Sequence, residues 1–358
     1  MYSSLTIKTK QPYPVFIGAG AIKHCGEIIS KEIKPGRAAL IADEQVFALY
    51  GKAVKASLEA SGFRVYSFTF PPGEGSKTPE TLLKIMNFLA ENQFSRSEPA
   101  IALGGGVSGD LAGFAAACYL RGMELVQLPT SLLAMVDASV GGKTAVDLPQ
   151  GKNLMGAFKQ PRAVICDPKL LETLPDNEFS AGMAEVIKYA LMADKKLFEA
   201  LEKSGGRQGL SQNALEKIIS RCIEIKGEIV AEDELDLGAR HKLNLGHTIG
   251  HAIEIRSSYS LNHGEAVAIG MYMICKAAEK IGHCEIGTAS RLKHVLNMFN
   301  LPTSTSYDSK ELAQFVLSDK KRSGDSIDFV FPKQVGNCFC KSVAVSEIEA
   351  IIDLGRGE

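Results

Sequence analysis

A chain of 358 residues is long for one hydrophobic core, and at roughly 150 residues per domain it implies two. Charged residues make up 23% and hydrophobic residues 45%, and a net charge of −1 excludes the strong overall field that collects nucleic acid or an acidic membrane surface. The opening stretch MYSSLTIKTKQPYPVF lacks the basic-then-apolar run of a signal peptide, and no apolar stretch approaches the ~18 residues of a membrane span. A cytoplasmic protein with no nucleic-acid or membrane partner is therefore expected.

In chain order, the first half alternates short β-rich runs with helical patterns. RAALIAD (37–43), FRVYSFTF (63–70), PAIALGGG (99–106), ELVQLPT (124–130) and RAVICDP (162–168) read as strands, with periodic segments such as PETLLKIMNFLAENQF between them. That rhythm predicts an α/β domain, a parallel sheet wrapped by helices, over residues 1–178. Beyond TLPDNEF it changes. AGMAEVIKYALMADKKLFEALEK, ALEKIISRCIEIKGEIVAE, HKLNLGHTIGHAIEI and GEAVAIGMYMICKAAEKIG all read as helices, so residues 179–358 form a mainly helical domain. KSGGRQGLSQN is the one stretch expected to be flexible. Near the end SIDFVF and CFCKSVAV predict a strand pair, and SEIEAIIDL a final helix. The eight cysteines show no CxxC spacing and are expected to be buried thiols.

IALGGGVSGDLAGFAAA passes from an apolar strand through Gly104, Gly105 and Gly106 into a helix, and spells GxGxxG with Gly104, Gly106 and Gly109. Backbone N–H groups at a helix start can cradle a pyrophosphate, although a tight strand-to-helix turn wants the same glycines. The ribose-binding acid expected with that fingerprint is better supplied by Asp43, which ends its strand, than by Glu124, which opens one. An aspartate there is also an ordinary helix cap. PPGEGSKT places Glu74 and Lys77 on a turn after a strand, where parallel sheets bind ligands. ASVGGKTAVD is not a P-loop, because the first glycine of GxxxxGK[ST] would fall on Asp137. The surrounding run still crowds Asp137, Lys143, Asp147, Lys152 and Asn153 among glycines, and its basic pair and amide on flexible backbone suit an anionic ligand better than a packed core.

Four candidate metal donors lie in the helical half. Glu185 stands in an apolar helix where a carboxylate is unexpected; His247 and His251 are four apart on one face; His263 opens NHGEAVAIGM. A lone pair would more simply be buried, hydrogen-bonded histidines. Three of seven histidines within 17 residues favour a zinc-like ion. Spacing leaves four donors for a set of about three.

Together, LGGGVSGDLAGFAAACYLRG, QLPTSLLAMVDASVGGKTAVDLPQGKNLMGAF, AGMAEVIKYA, LNLGHTIGHAIE, NHGEAVAIGM and the late DKKRSG resemble the 3-dehydroquinate synthases, of the sugar-phosphate cyclase group, over nearly the whole chain. The resemblance implies an N-terminal Rossmann-like domain that binds NAD, a helical domain that holds one divalent ion, zinc or cobalt, and a homodimer. Carried over residue by residue, it makes Glu185, His247 and His263 the metal ligands and puts His251 on the substrate side. NAD contacts would come from Asp43, Glu74, Lys77, Gly104, Gly105, Gly106, Asp110, Thr130, Ser131, Asp137, Lys143 and Lys152. Lys143, Asn153, Lys188, Lys226, Arg240, Asn244, His251 and Lys320 would meet the substrate, and Arg121 would reach the neighbouring subunit's site. Gln45 stands where such sequences often have Asn, and Asp236 where Glu is more usual. The implied reaction turns 3-deoxy-D-arabino-heptulosonate 7-phosphate (DAHP) into 3-dehydroquinate and phosphate, in the shikimate route to aromatic amino acids. The alternatives are another cyclase, such as a 2-deoxy-scyllo-inosose synthase, a metal-dependent polyol or alcohol dehydrogenase, or a non-catalytic nucleotide binder.

Overall fold

The expected strands form, in a seven-stranded sheet. A computed structural model describes residues 2–258, 260–318, 322–323 and 325–356, without the side chains of 317–318 and 322–323. In chain order the strands are β1 (Ser3–Ile7), β2 (Tyr13–Ile17), β3 (Arg37–Asp43), β4 (Arg64–Phe70), β5 (Pro99–Gly104), β6 (Glu124–Pro129), β7 (Lys143–Leu148), β8 (Gly151–Phe158) and β9 (Ala163–Cys166). The sheet runs β1-β2-β9-β6-β5-β3-β4, with β1 and β2 antiparallel and every other pairing parallel. β5 is buried at every position, as a central strand covered on both faces must be. β7 and β8 stand apart as an antiparallel hairpin.

Within the six parallel strands, the order β4-β3-β5-β6-β9 is that of a doubly wound sheet whose direction of growth reverses between β3 and β5. Such a reversal opens a crevice at the carboxyl ends of the two strands, where ligands of these sheets bind. Asp43 ends β3 and Gly104 ends β5, so the sequence places its two nucleotide candidates at that point.

Two compact units divide the chain. The first comprises Met1–Leu174 with Leu215–Leu235, and the second Pro175–Ala214 with Asp236–Glu358. The sequence rhythm puts a single boundary near residue 178; the chain instead returns to the first unit with most of the helix Gln212–Glu232. That helix buries Ile218, Ile219, Cys222 and Ile223, and at Gly227 an added Cβ would lie 2.7 Å from Ile7 Cδ1, a close approach to β1. Asp236, at the second return, has φ 61°, a left-handed conformation that Asp tolerates better than Glu.

The second unit is built on helices, chiefly Asp176–Ala193, His247–Arg256, His263–Lys280, Thr288–Met298 and Val345–Arg356. The long helical run after residue 180 breaks at Asp194, whose Oδ1 accepts the Leu197 N–H and caps a second helix, Lys195–Glu202. The stretch expected to be flexible contains a 3₁₀ turn, Arg207–Gly209, with the Arg207 guanidinium 2.5 Å from Asp176 and over the Phe179 ring. The late strand pair is present as β11 (Ser326–Gln334) and β12 (Asn337–Ala344), with β10 (Arg322–Ser323) at its edge. No helix among the described residues is long and apolar enough to cross a membrane.

Candidate metal centre and nucleotide crevice

Glu185 lies in the middle of Asp176–Ala193, a helix buried on most sides, and its carboxylate is 1% exposed. Two other helices bring histidines to it. Gly246, at φ 79°, turns the chain into His247–Arg256, and an added Cβ at Gly270 would lie 2.1 Å from Gly246 O. The helices carrying His247 and His263 therefore cross backbone against backbone. His263 is the first residue of its helix, and Asn262 caps it. The Asn262 side chain accepts the Glu265 N–H, and Glu265 Oε2 accepts the Asn262 N–H at 2.9 Å, a reciprocal capping box. Asn262→Ala should cost about 1 kcal/mol in a denaturant titration of the unit.

The donor geometry is specific. His247 Nε2 lies 3.5 Å and His263 Nε2 3.4 Å from Glu185 Oε1. Both Glu185 oxygens are buried without a hydrogen-bond partner of ordinary geometry, although the Lys188 ammonium stands against Oε2. Tetrahedral donors at about 2.0–2.1 Å from an ion stand roughly 3.3 Å apart, close to the separations seen. The outer nitrogens agree: His247 Nδ1 is 3.2 Å from Leu245 O, and His263 Nδ1 is 3.3 Å from Glu254 Oε2. An acceptor at Nδ1 draws the proton there and leaves Nε2 as the ligand atom. The residues present thus fit a divalent ion.

Electrostatics point the same way. Burial works against the Glu185 charge, but Lys188 and His263 outweigh it and hold the carboxyl well below its usual range. Burial also opposes a charged His263, yet Glu185 and Glu254 together raise its pKa. An arriving cation would displace that proton. A second donor set, His251, Glu254 and His263, overlaps the first through His263. The three imidazoles are mutually close, with ring centroids 5.2–6.2 Å apart. Glu254, 4% exposed, is the residue that sequence reasoning passed over. Its signal was available: a carboxylate in an apolar helix, seven residues after His247 and on the same face.

In the first unit, Asp43, Gly104, Gly105, Gly106, Thr130 and Ser131 gather round the crevice. Asp43 Oδ1 accepts the Val46 N–H at 2.8 Å, so the helix-cap role is realised, while Oδ2 lies 3.5 Å from where a Cβ on Gly104 would stand. Gly104 has φ 153°, and its added Cβ would strike Ser108 Oγ at 2.2 Å. Ser108 Oγ is itself buried with no partner. Gly105 and Gly106 continue the turn, Gly105 facing Ser131 and Gly106 facing Ala138; Thr130 N–H donates to Gly104 O at 2.9 Å. This bare backbone with an orphaned hydroxyl fits a phosphate-bearing nucleotide.

A polar cluster adjoins the β7–β8 hairpin. Lys77 pairs with Asp110 at 2.6 Å and donates to Asn153 Oδ1; Glu74 lies 4.0 Å from Lys77 and 3.9 Å from Lys152. Burial pushes the Asp110 carboxyl up to about 6 despite Lys77, whereas the Lys77 ammonium, with Asp110, Glu74 and Asp147 around it, is raised against its own burial. Asp147, given no role by sequence, accepts the Asn153 N–H at 2.7 Å and holds Asn153 at φ 55°. Lys226 reaches Asp137, donating to its carbonyl at 2.7 Å and pairing with its carboxylate. Lys143 is exposed on β7. Arg240 is buried and Asn244 half-buried in the turn Ala239–Asn244 of the second unit. Arg121 is exposed on a strained turn where Leu120, Arg121 and Gly122 all have positive φ. Lys320 lies outside the described residues.

A doubly wound sheet with a glycine turn at its reversal point, carried in one chain with a Glu-His-His donor set, is the architecture of the sugar-phosphate cyclases. A solved 2-deoxy-scyllo-inosose synthase, complexed with carbaglucose-6-phosphate, NAD+ and Co2+, matches with a TM-score of 0.87 at 26% identity, covering 98% of this chain and 99% of that one. Residues 67–181 match the family described as 3-dehydroquinate synthase N-terminal, and residues 182–322 that described as 3-dehydroquinate synthase C-terminal. The 3-dehydroquinate synthase of Enterococcus faecalis strain OG1RF is 43% identical with all of both chains covered, and that of Streptococcus sanguinis is 42% identical over 95% of this chain and 97% of its own. The chain belongs to the 3-dehydroquinate synthase family.

Proposed function

We propose that the residues described above carry out the family's reaction, conversion of DAHP to 3-dehydroquinate and inorganic phosphate. The chain is an enzyme, a carbon–oxygen lyase acting on a phosphate ester, and its cofactors are NAD and a divalent metal ion. The observation that carries the reading is the Glu185–His247–His263 set, in which two imidazole Nε2 atoms face one orphaned carboxylate oxygen. NAD supplies reversible redox capacity and the ion, zinc or cobalt, supplies Lewis acidity at the substrate hydroxyl, so the cycle ends without net oxidation.

The chain's own residues do the rest. Glu185, His247 and His263 hold the ion, with Lys188 keeping Glu185 ionised and Glu254 orienting His263. Asp43 and the Gly104–Gly106 turn take the nucleotide, with Glu74, Lys77, Asp110, Thr130, Ser131, Asp137, Lys143 and Lys152 bordering it. Lys226 and Arg240 are assigned to the substrate carboxylate. Lys143, Asn153, Lys320 and a neighbouring subunit's Arg121 are assigned to its phosphate, on the ground that a doubly anionic ligand needs paired cations. Lys188 and Asn244 complete the substrate contacts, and His251 moves a proton at the reacting carbon or oxygen. The exposed, strained turn at Arg121 supports a reach across a homodimer. A biosynthetic reaction on diffusible substrates suits the cytoplasm.

The test uses protein stripped with chelator, then given DAHP, NAD and zinc or cobalt. Phosphate release that depends on the metal, with 3-dehydroquinate formed and no net NADH, is expected. No phosphate from DAHP with either metal would refute the assignment. Stoichiometric NADH would instead favour a dehydrogenase, a fold shared at TM-score 0.67 by a glycerol dehydrogenase 16% identical. Against a different cyclase stands the gap between 26% identity to the inosose synthase and 42–43% to the 3-dehydroquinate synthases.

A further inference from the structure

A second group of metal donors stands in the helical unit, on the helix His263–Lys280 but about 18 Å along its axis from His263. Cys275 and Glu279 are four apart and share a face of that helix. The turn that follows, with Gly282 at φ 72°, brings Cys284 back against them. The two sulfurs and a Glu279 carboxylate oxygen all lie within 4.8 Å of one another. None of the three takes part in the chemistry above.

Several features make this cluster more than two buried thiols. Cys275 is 0% and Cys284 7% exposed, while Glu279 is half-buried and opens the group to solvent on one side. Glu279 is held in place: its Oε1 accepts the Ala289 N–H at 2.7 Å, at the start of Thr288–Met298. The thiols are hydrogen-bonded to each other, an interaction that lowers the pKa of Cys284 and, with burial, raises that of Cys275. A partly buried carboxylate beside an ionisable sulfur concentrates negative charge where water is scarce, and a cation relieves that cost.

We propose that Cys275, Glu279 and Cys284 form a second metal site, selective for a thiophilic divalent ion such as zinc. Two sulfurs and one oxygen are soft enough to reject magnesium and calcium, which prefer oxygen alone, and suit a tetrahedral d10 ion whose fourth position water fills. Binding forms two metal–sulfur bonds and one metal–oxygen bond. Two S–H bonds break and their protons leave to the buffer, with no change of oxidation state. Sulfurs on a tetrahedral zinc stand roughly 3.8 Å apart, so side-chain rotation within the cluster closes the set. The ion ties the end of His263–Lys280 to the turn that follows it.

Cadmium tests this directly, because its bonds to thiolate absorb in the ultraviolet and the Glu185–His247–His263 set contains no sulfur. Full-length, chelator-stripped, reduced protein is titrated with cadmium. The charge-transfer band should saturate at one thiolate-bound ion per chain and protect two cysteines from a thiol reagent. Cys275→Ser and Cys284→Ser should each abolish it, and His247→Ala should retain it. Glu279→Gln keeps both thiols and should weaken binding at least tenfold, which provides the test if a serine variant fails to fold. No band from intact thiols, or a band unchanged in Cys275→Ser and so owed to Cys338 and Cys340, would overturn the site. So would loss of two free thiols without metal, which would mark a Cys275–Cys284 disulfide.

Discussion

His247→Ala should leave the protein unable to retain its catalytic divalent ion through dialysis, whereas His251→Ala should keep the ion and lose turnover. The two histidines share a helix face, and their rings are 5.5 Å apart, so nearness does not separate them. The outer nitrogen and the buried oxygen place His247 at the ion. His247 has Leu245 O at Nδ1 and Glu185 Oε1 facing Nε2. Removing a direct ligand should exceed the roughly 10–100-fold loss that follows removal of an outer partner, and Glu254→Gln, which weakens only the support of His263, should fall within that smaller range. Metal content by mass spectrometry against protein concentration reads all three. Equal metal loss in His247→Ala and His251→Ala would instead restore the two histidines as a shared ligand pair, and loss in His251→Ala alone would favour the overlapping set of His251, Glu254 and His263.

Gly264→Ala should destabilise the helical unit and empty the same centre without touching a donor atom. A Cβ there would stand 2.3 Å from Ala181 Cα and 2.4 Å from Ala181 O, so it meets backbone, not a side chain that could swing away. Overpacking of this kind costs about 1–3 kcal/mol, which lowers Tm by several degrees in a unit of this size. The structure can accommodate the methyl only by parting the helix of Glu185 from that of His263, which separates two ligands. Ala181→Gly should therefore fail to rescue it. Gly238→Ala, where nothing lies within 4 Å, should change Tm little. A Gly264→Ala protein with unchanged Tm and full metal content would show that the contact is not what sets the spacing.

Much of the first unit is legible because β3, β5, β6 and β9 are enclosed in the sheet and read as short apolar runs, while β4, at the edge, shows the alternation and the aromatic and β-branched residues of a half-buried strand. The hairpin β7–β8 is not. Its strands carry glycine, lysine and asparagine with half-buried faces, and they resemble a ligand loop more than a sheet. β1 and β2 escape notice because Pro14 lies within β2 and the pair is short. The return of Leu215–Leu235 to the first unit is invisible to periodicity, which identifies a helix but not the neighbour it packs on.

The candidate site divides along the same line. Residue type and neighbourhood suffice to nominate Glu185, His247, His251 and His263. Their outer partners are another matter: the Leu245 carbonyl has no sequence signature, and Glu254 looks like any helix carboxylate until its position against His263 is known. Asp43 shows that two readings need not compete, since one oxygen caps a helix while the other faces the glycine turn.

The glycine crossing at Gly246, Gly250 and Gly270 has a consequence for which ions the enzyme will accept. Because main chain meets main chain there, the two helices that carry His247 and His263 are held at a fixed crossing, and the imidazoles start from backbone that cannot part easily. The centre behaves as a caliper. The 3.4–3.5 Å gaps from Glu185 Oε1 to the two Nε2 atoms suit ions with bonds near 2.1 Å better than calcium, which needs about 2.3–2.6 Å and more oxygen ligands.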